Sequence, residues 1–218
     1  MITFLTVLKS NKTNEFGKFG HSTYLPEHVY SLQSQIKKRY PKPHNFYCLT
    51  DYPDLECETT PLILDLPGWW SKMELFRQTG NIIYFDLDTV ILDDITELVE
   101  YPHEFSALAD IHHNSILPGR LWSGIMAWSG DHTDIYNKFV ENIEFNMSRS
   151  QQGGDQHFIG DFRPNFTPVQ KITSGIVCYK LELKNNESPP PETKIIYFMG
   201  NPKPWQLDHK WTTGLYQR

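Results

Sequence analysis

The chain has 218 residues, with 20 Lys plus Arg against 26 Asp plus Glu and a formal charge of -6. That length suits one hydrophobic core, so a single domain over residues 1–218 is expected. The acidic balance, with no basic run longer than Lys37-Lys38-Arg39, argues against a nucleic-acid partner, and three scattered cysteines, Cys48, Cys57 and Cys178, argue against a disulfide framework or a structural zinc site.

Ile2 to Leu8 is apolar and β-branched and reads as a buried strand. It is too short for a signal-peptide core or a membrane span, and a cytoplasmic location is expected. A loop follows to about Tyr24. Pro26 opens a helix with Val29, Leu32, Ile36 and Tyr40 at spacings of three or four, closed by Pro41 and Pro43. Further strands are predicted at Asn45 to Leu49, Ile82 to Asp86, Phe105 to Ala109, Ile125 to Trp128 and Ile195 to Met199. Helices are predicted at Ser71 to Gln78, Asp131 to Asn142 and Asp155 to Phe162. Alternating strands and helices give an α/β class with a mixed, mostly parallel sheet covered on both faces. Asn185 to Glu192, with its Pro-rich centre, reads as a surface loop.

Asn81 to Asp88 is an apolar strand that ends in Asp86-Leu87-Asp88. If the strand geometry persists, the two carboxylates project to one side, at the sheet edge where open α/β proteins bind ligands. A shared divalent cation keeps two such carboxylates ionised, and oxygen ligands suit Mn2+ or Mg2+. The alternative is that Asp88 caps the following turn while Asp86 is solvated.

Four further segments stand in order around this pair: Ser71-Lys72-Met73-Glu74, Ser123-Gly124-Ile125-Met126, Gly153-Gly154-Asp155-Gln156 and Gly200-Asn201-Pro202-Lys203-Pro204-Trp205. Together they resemble the retaining glycosyltransferases of family 8, which include glycogenin and bacterial lipopolysaccharide galactosyl- and glucosyltransferases. The resemblance implies a Rossmann-like GT-A fold, a UDP-hexose donor, manganese held by Asp86 and Asp88, and a glycan or other hydroxyl acceptor. It implies catalytic roles for Asp155, Gln156 and Lys203, and donor contacts from Thr6, Lys72, Asp110, Ser123 and Gly200. Trp69-Trp70 and Trp128 read either as core or as sugar-stacking platforms. Acceptor specificity is expected in the loops Ile111 to Arg120 and Leu181 to Glu192.

The pattern is broken at two places. Tyr197 and Met199 stand where family members carry a metal-binding His, leaving His209 and His157 as substitutes, and Trp122 replaces an Asn. Two other readings remain. Phe85-Asp86-Leu87-Asp88-Thr89-Val90 also resembles the nucleophile motif of haloacid-dehalogenase-like phosphatases, with Asp86 as nucleophile. The chain could equally be a non-catalytic nucleotide-sugar or glycan binder.

Overall fold

The computed structural model describes residues 1–10, 24–111, 119–150, 153–186 and 188–216. The loop predicted up to Tyr24 and most of the acceptor loop at Ile111 to Arg120 lie outside the described residues.

Strand β1 (Ile2–Leu8) leads to helix α1 (Pro26–Arg39) and strand β2 (His44–Thr50). Helix α1 starts where the sequence predicts, with Pro26 in the first turn, and its apolar stripe of Val29, Leu32 and Ile36 is wholly buried. Lys37, Lys38 and Arg39 in its last turn complement the helix dipole. Then come β3 (Thr59–Pro61), a 3-10 helix (Gly68–Arg77), β4 (Asn81–Phe85), β5 (Val90–Ile91), α2 (Thr96–Val99), β6 (Phe105–Ala109) and β7 (Leu121–Trp128). The rest comprises α3 (Thr133–Glu141), α4 (Ile143–Arg149), α5 (Gly154–Phe162), β8 (Thr167–Pro168), α6 (Val169–Ile172), β9 (Ile176–Cys178) and β10 (Ile195–Tyr197).

Among the described residues, the main sheet has the order β3-β2-β1-β4-β7-β6-β8. All neighbours pair in parallel except at β7, which runs against both β4 and β6. Successive residues of β4 alternate between two cores. Ile83 and Phe85 join α1 on one face, whereas Ile82 and Tyr84 join Trp70, Met73, Phe76, Phe139 and Phe158 on the other. A second sheet, β5-β10-β9, pairs Val90 with Ile196 and Ile91 with Ile195, so the chain just after Asp88 is tied to the chain just before Lys203.

Three predictions need correction. The helix expected at Ser71 to Gln78 is a 3-10 helix that starts at Gly68, whose φ is 52°. The Ser71 hydroxyl donates to the Gly68 carbonyl at 2.7 Å, three residues back, which favours the tighter winding. Fully buried Glu74 fixes this helix by accepting from the backbone N–H of Ile63 and Leu64 and from Arg77. The strand carrying Asp86 stops at Phe85, and the carboxylate pair lies in a turn closed by Thr89 N–H donating to the Asp86 carbonyl at 3.0 Å. The strand predicted at Ile125 to Trp128 begins earlier, at Leu121.

Candidate functional site

Asp86 leaves β4 with its N–H donating to the Gly124 carbonyl of β7 at 2.9 Å, so two strands fix its backbone. Its carboxylate accepts from Lys72 Nζ, at 2.8 Å for Oδ1 and 3.0 Å for Oδ2, and from the Tyr84 hydroxyl. Tyr84 lies two residues earlier, and because Asp86 N–H still pairs with β7 the alternation of the strand carries on to it and points both side chains the same way. Burial pushes the Asp86 carboxyl above the ordinary aspartate value, and nearby Asp88 adds to this while Lys72 opposes it. Burial works against the charge on Lys72, but Asp86 and then Asp155 overcome it and hold the ammonium above the ordinary lysine range.

Lys72 also reaches the Ser123 hydroxyl at 3.3 Å and Asp155 Oδ2 at 3.8 Å, and Ser123 donates to that same Asp155 oxygen at 2.5 Å. Ser123 is aimed here by an irregularity in β7. The pairing with β6 jumps from Ala107 opposite Met126 to Leu108 opposite Trp122, leaving Ser123 to Ile125 bulged out of that ladder. Asp155 enters from the first turn of α5 and is buried. Its side chain therefore serves the network, and no side-chain cap is made at the start of α5.

Asp88, 3% exposed, forms a second pair with Lys203 across 115 residues of sequence. Tyr24 completes this pair: its hydroxyl donates to Asp88 at 3.1 Å and its ring lies 5.4 Å from the Lys203 ammonium. Burial and then the charge of Asp88 keep the Tyr24 phenol well above its ordinary pKa. Tyr24 in turn meets Trp205 edge to face at 5.3 Å, and Trp205 stacks on His28 at 3.7 Å. No local pattern in the sequence points to Tyr24, because its partner is 64 residues away.

The structure thus joins Lys72, Asp86, Ser123 and Asp155 in one contact network and Asp88 and Lys203 in another. The two are consecutive along the turn, and the Asp88 charge is felt at both Asp86 and Lys72. Gln156 is half-buried one residue past Asp155 on α5. Asp110, buried, follows β6, and its N–H donates to the Arg120 carbonyl at 2.8 Å beside the start of β7. Gly200, at φ 63°, turns the chain from β10 toward Lys203. Thr6 differs from expectation: with 0% exposure, its hydroxyl is committed to the Phe85 carbonyl at 3.0 Å. It braces the end of β4 and has no surface to offer a donor.

No family model matches the chain. Over 161 residues, 69% of the chain, it is 30% identical to glycogenin from Neurospora crassa, and over 154 residues, 65% of the chain, 28% identical to glycogenin-1 from Caenorhabditis elegans. The aligned part spans only 21% and 33% of those two proteins. In structure, 98% of the chain superposes on 92% of the galactosyltransferase LgtC, solved with donor and acceptor sugar analogues, with a TM-score of 0.59 at 11% identity. The glycosyltransferase GlyE of Streptococcus pneumoniae matches with a TM-score of 0.62 at 12% identity, over 97% of this chain and 60% of that one.

The chain is glycosyltransferase family 8-like, with a GT-A fold.

Within this GT-A fold, the two positions where a metal-binding His was expected face elsewhere. Tyr197 is buried in β10 against Trp122, and Met199 packs on Cys178 with 3.5 Å between sulfurs. The substitutes are also engaged away from the carboxylates. His209 stacks on Trp211 at 5.3 Å and faces the Tyr179 hydroxyl, whereas His157 sits 4.0 Å from Asp161. Among the described residues, no group of three or more His, Cys, Asp or Glu side chains forms a metal cage. As oxygen donors, Asp86 and Asp88 would fit a hard divalent cation, whose remaining ligands would have to come from outside this pair. That donor set suits magnesium or manganese and is unsuited to zinc.

The tryptophans divide. Trp128 and Trp70 are core, the latter stacked on Phe139 at 5.5 Å, and Trp69 is 42% exposed. A cavity of about 500 Å3 between α1 and β2, lined by Tyr30, Lys37, Tyr47 and Glu58 among others, contains none of the site residues. Among the described residues, no helix is long and apolar enough to cross a membrane.

Proposed function

We propose that the chain is a retaining hexosyltransferase that moves glucose or galactose from a UDP-sugar to a glycan or other hydroxyl acceptor, acting in the cytoplasm as a single domain. The observation that carries this reading is the convergence of two lysines and three carboxylates, drawn from four separate segments, on the turn after β4.

In the transfer, the bond from the anomeric carbon to the diphosphate breaks and UDP leaves with its electron pair. The acceptor oxygen bonds to the anomeric carbon on the same face and passes its proton to an oxygen of the departing diphosphate. Asp86 and Asp88 would hold a manganese or magnesium ion, which would supply positive charge for the departing diphosphate. Lys203, kept beside Asp88, places a further ammonium where negative charge grows in the transition state. Lys72 stays charged across the neutral range and fixes the orientation of Asp86 and Asp155. Asp155 has one oxygen committed to Ser123 and Lys72, and its other oxygen serves donor-sugar hydroxyls. Gln156 and Asp110 line the sugar, Gln156 with its amide oxygen toward the anomeric carbon, and Ser123 and Gly200 contact the donor.

The test is incubation with UDP-glucose or UDP-galactose and manganese, with and without glycan acceptors. Release of UDP is expected. Binding of the UDP-sugar without any release would assign the chain as a binder, and cleavage of p-nitrophenyl phosphate would assign it as a phosphatase using Asp86.

A further inference from the structure

The backbone just before Asp155 is flanked by groups that the network around the carboxylates does not use. A side-chain carbon on Gly154 would come within 2.5 Å of the Trp69 indole nitrogen. One on Gly153 would come within 2.6 Å of Arg120 Nη2 and 2.8 Å of His157 Cβ. Consecutive Cα atoms are about 3.8 Å apart, so the indole and the guanidinium stand against the same short stretch of chain. Both glycines leave room for this approach, and Gly154, at φ 61°, has the backbone that glycine favours.

Trp69 is 42% exposed although Trp70 beside it is core, so an indole is held at the surface with one edge seated on Gly154. Arg120 is half-buried and forms no ion pair among the described residues. Its Nη2 is closed off from solvent beside Gly153 without a hydrogen-bond partner, and so is Nδ1 of His157. Packing thus fixes the guanidinium while its charge has no counter-ion among the described residues. A half-buried cation in that state is unfavourable until something supplies an anion. The planar fork of arginine matches a carboxylate or phosphate, and an indole face suits the C–H face of a sugar ring.

We infer that Trp69, Arg120 and His157 form an acceptor subsite for a sugar that bears an anionic group, either carboxylate or phosphate, with the ring on Trp69 and the charged group on Arg120. The role as an acceptor site rests on the transferase reading above, whereas the recognition of an anionic sugar does not.

The experiment is titration of the full chain with methyl β-glucuronide, glucose 6-phosphate and neutral methyl β-glucoside, followed by NMR. At least one charged sugar is expected to bind ten-fold or more tightly than the neutral one, and the tighter of the two identifies carboxylate or phosphate. Arg120→Gln should bring that ratio close to one, Arg120→Lys should keep part of it, and Trp69→Ala should weaken all three ligands together. Equal binding of charged and neutral sugars to the unaltered chain, or a ratio that survives in Arg120→Gln, overturns the inference. UDP release is a separate readout. If it fails while the ratio holds, the transferase reading is lost and the anionic-sugar site stands.

Discussion

The indole of Trp122 and the ring of Tyr197 meet edge to face, with centroids 5.8 Å apart and planes at 65°. The family resemblance leads one to expect an Asn and a His at these two positions. Their contact couples the two positions, with Tyr197 only 4% exposed.

Restoring the His alone is therefore expected to fail. Tyr197→His would aim an imidazole at Trp122 and Cys178, away from Asp88, and would lose apolar packing. A stability loss of about 2 kcal/mol in urea denaturation is expected, with manganese affinity unchanged. A clear rise in manganese affinity would show that the side chain can reach the carboxylates.

Asp88→Asn removes one of the two carboxylates proposed for the cation. Calorimetric heats for UDP binding in the presence of manganese should vanish while the far-ultraviolet circular dichroism stays native. Undiminished heats would take Asp88 out of the cation site.

Lys203→Ala removes an ammonium placed for the leaving diphosphate. The expected effect is a fall in kcat of roughly 100-fold, in the range found when one transition-state donor is removed, with a smaller change in KM. An unchanged kcat would leave Lys203 as a partner of Asp88 and nothing more.

His28 gives the fold a specific sensitivity to acid. Burial, opposed by Glu27 and Asp88, lowers its pKa from 6.5 to about 4, and its Nδ1 accepts from the Leu25 N–H at 2.9 Å. The unfolded chain takes up a proton that the folded chain refuses. This contribution to stability is complete above pH 6.5 and is lost as pH falls through the folded value near 4. At about 1.4 kcal/mol per pH unit the gap corresponds to about 3 kcal/mol. His28→Gln should flatten the decline between pH 7 and pH 4 relative to the unaltered chain, and parallel declines would contradict the assignment.

Gly175 and Gly200 offer a contrast in backbone strain. Both have positive φ, 78° and 63°, but a side chain on Gly175 would overlap the Glu192 carbonyl, whereas on Gly200 it would meet open space. Gly175→Ala should cost more than about 2 kcal/mol, because a clash adds to the left-handed backbone, and Gly200→Ala about 1 kcal/mol. Similar melting temperatures for the two variants would contradict the difference in packing.

The legible parts of the fold were those whose signal is local and repeated. Helix α1 shows itself through Val29, Leu32 and Ile36, and β1, β2, β4 and β6 through mainly apolar runs that feed the two cores. The short strands β3, β5, β8 and β9 have two or three residues each, too few to show a period, and they pair only because distant chain arrives beside them. In the site, Lys72, Asp86, Ser123 and Asp155 could be gathered by their resemblance to known segments, and Tyr84 was within reach through its spacing from Asp86. Tyr24 was not, and neither was the burial of Thr6, since both depend on which residues meet across the sheet. The turn at Asp86 also escaped notice, because Leu87 and the apolar residues after Thr89 continue the look of a strand.

The two rungs that join β5 to β10 have a consequence for how the chain can vary. Val90 is two residues beyond Asp88, and its partner Ile196 is seven before Lys203, so the span of that ion pair is set by two short tethers leaving a common splice. Connecting loops in the long stretch between the tethers can lengthen or shorten without altering how Asp88 meets Lys203. A single residue inserted into either tether would slip the two ends past each other. As far as this ion pair is concerned, growth is therefore tolerated in the connecting loops and forbidden within a few residues of this seam.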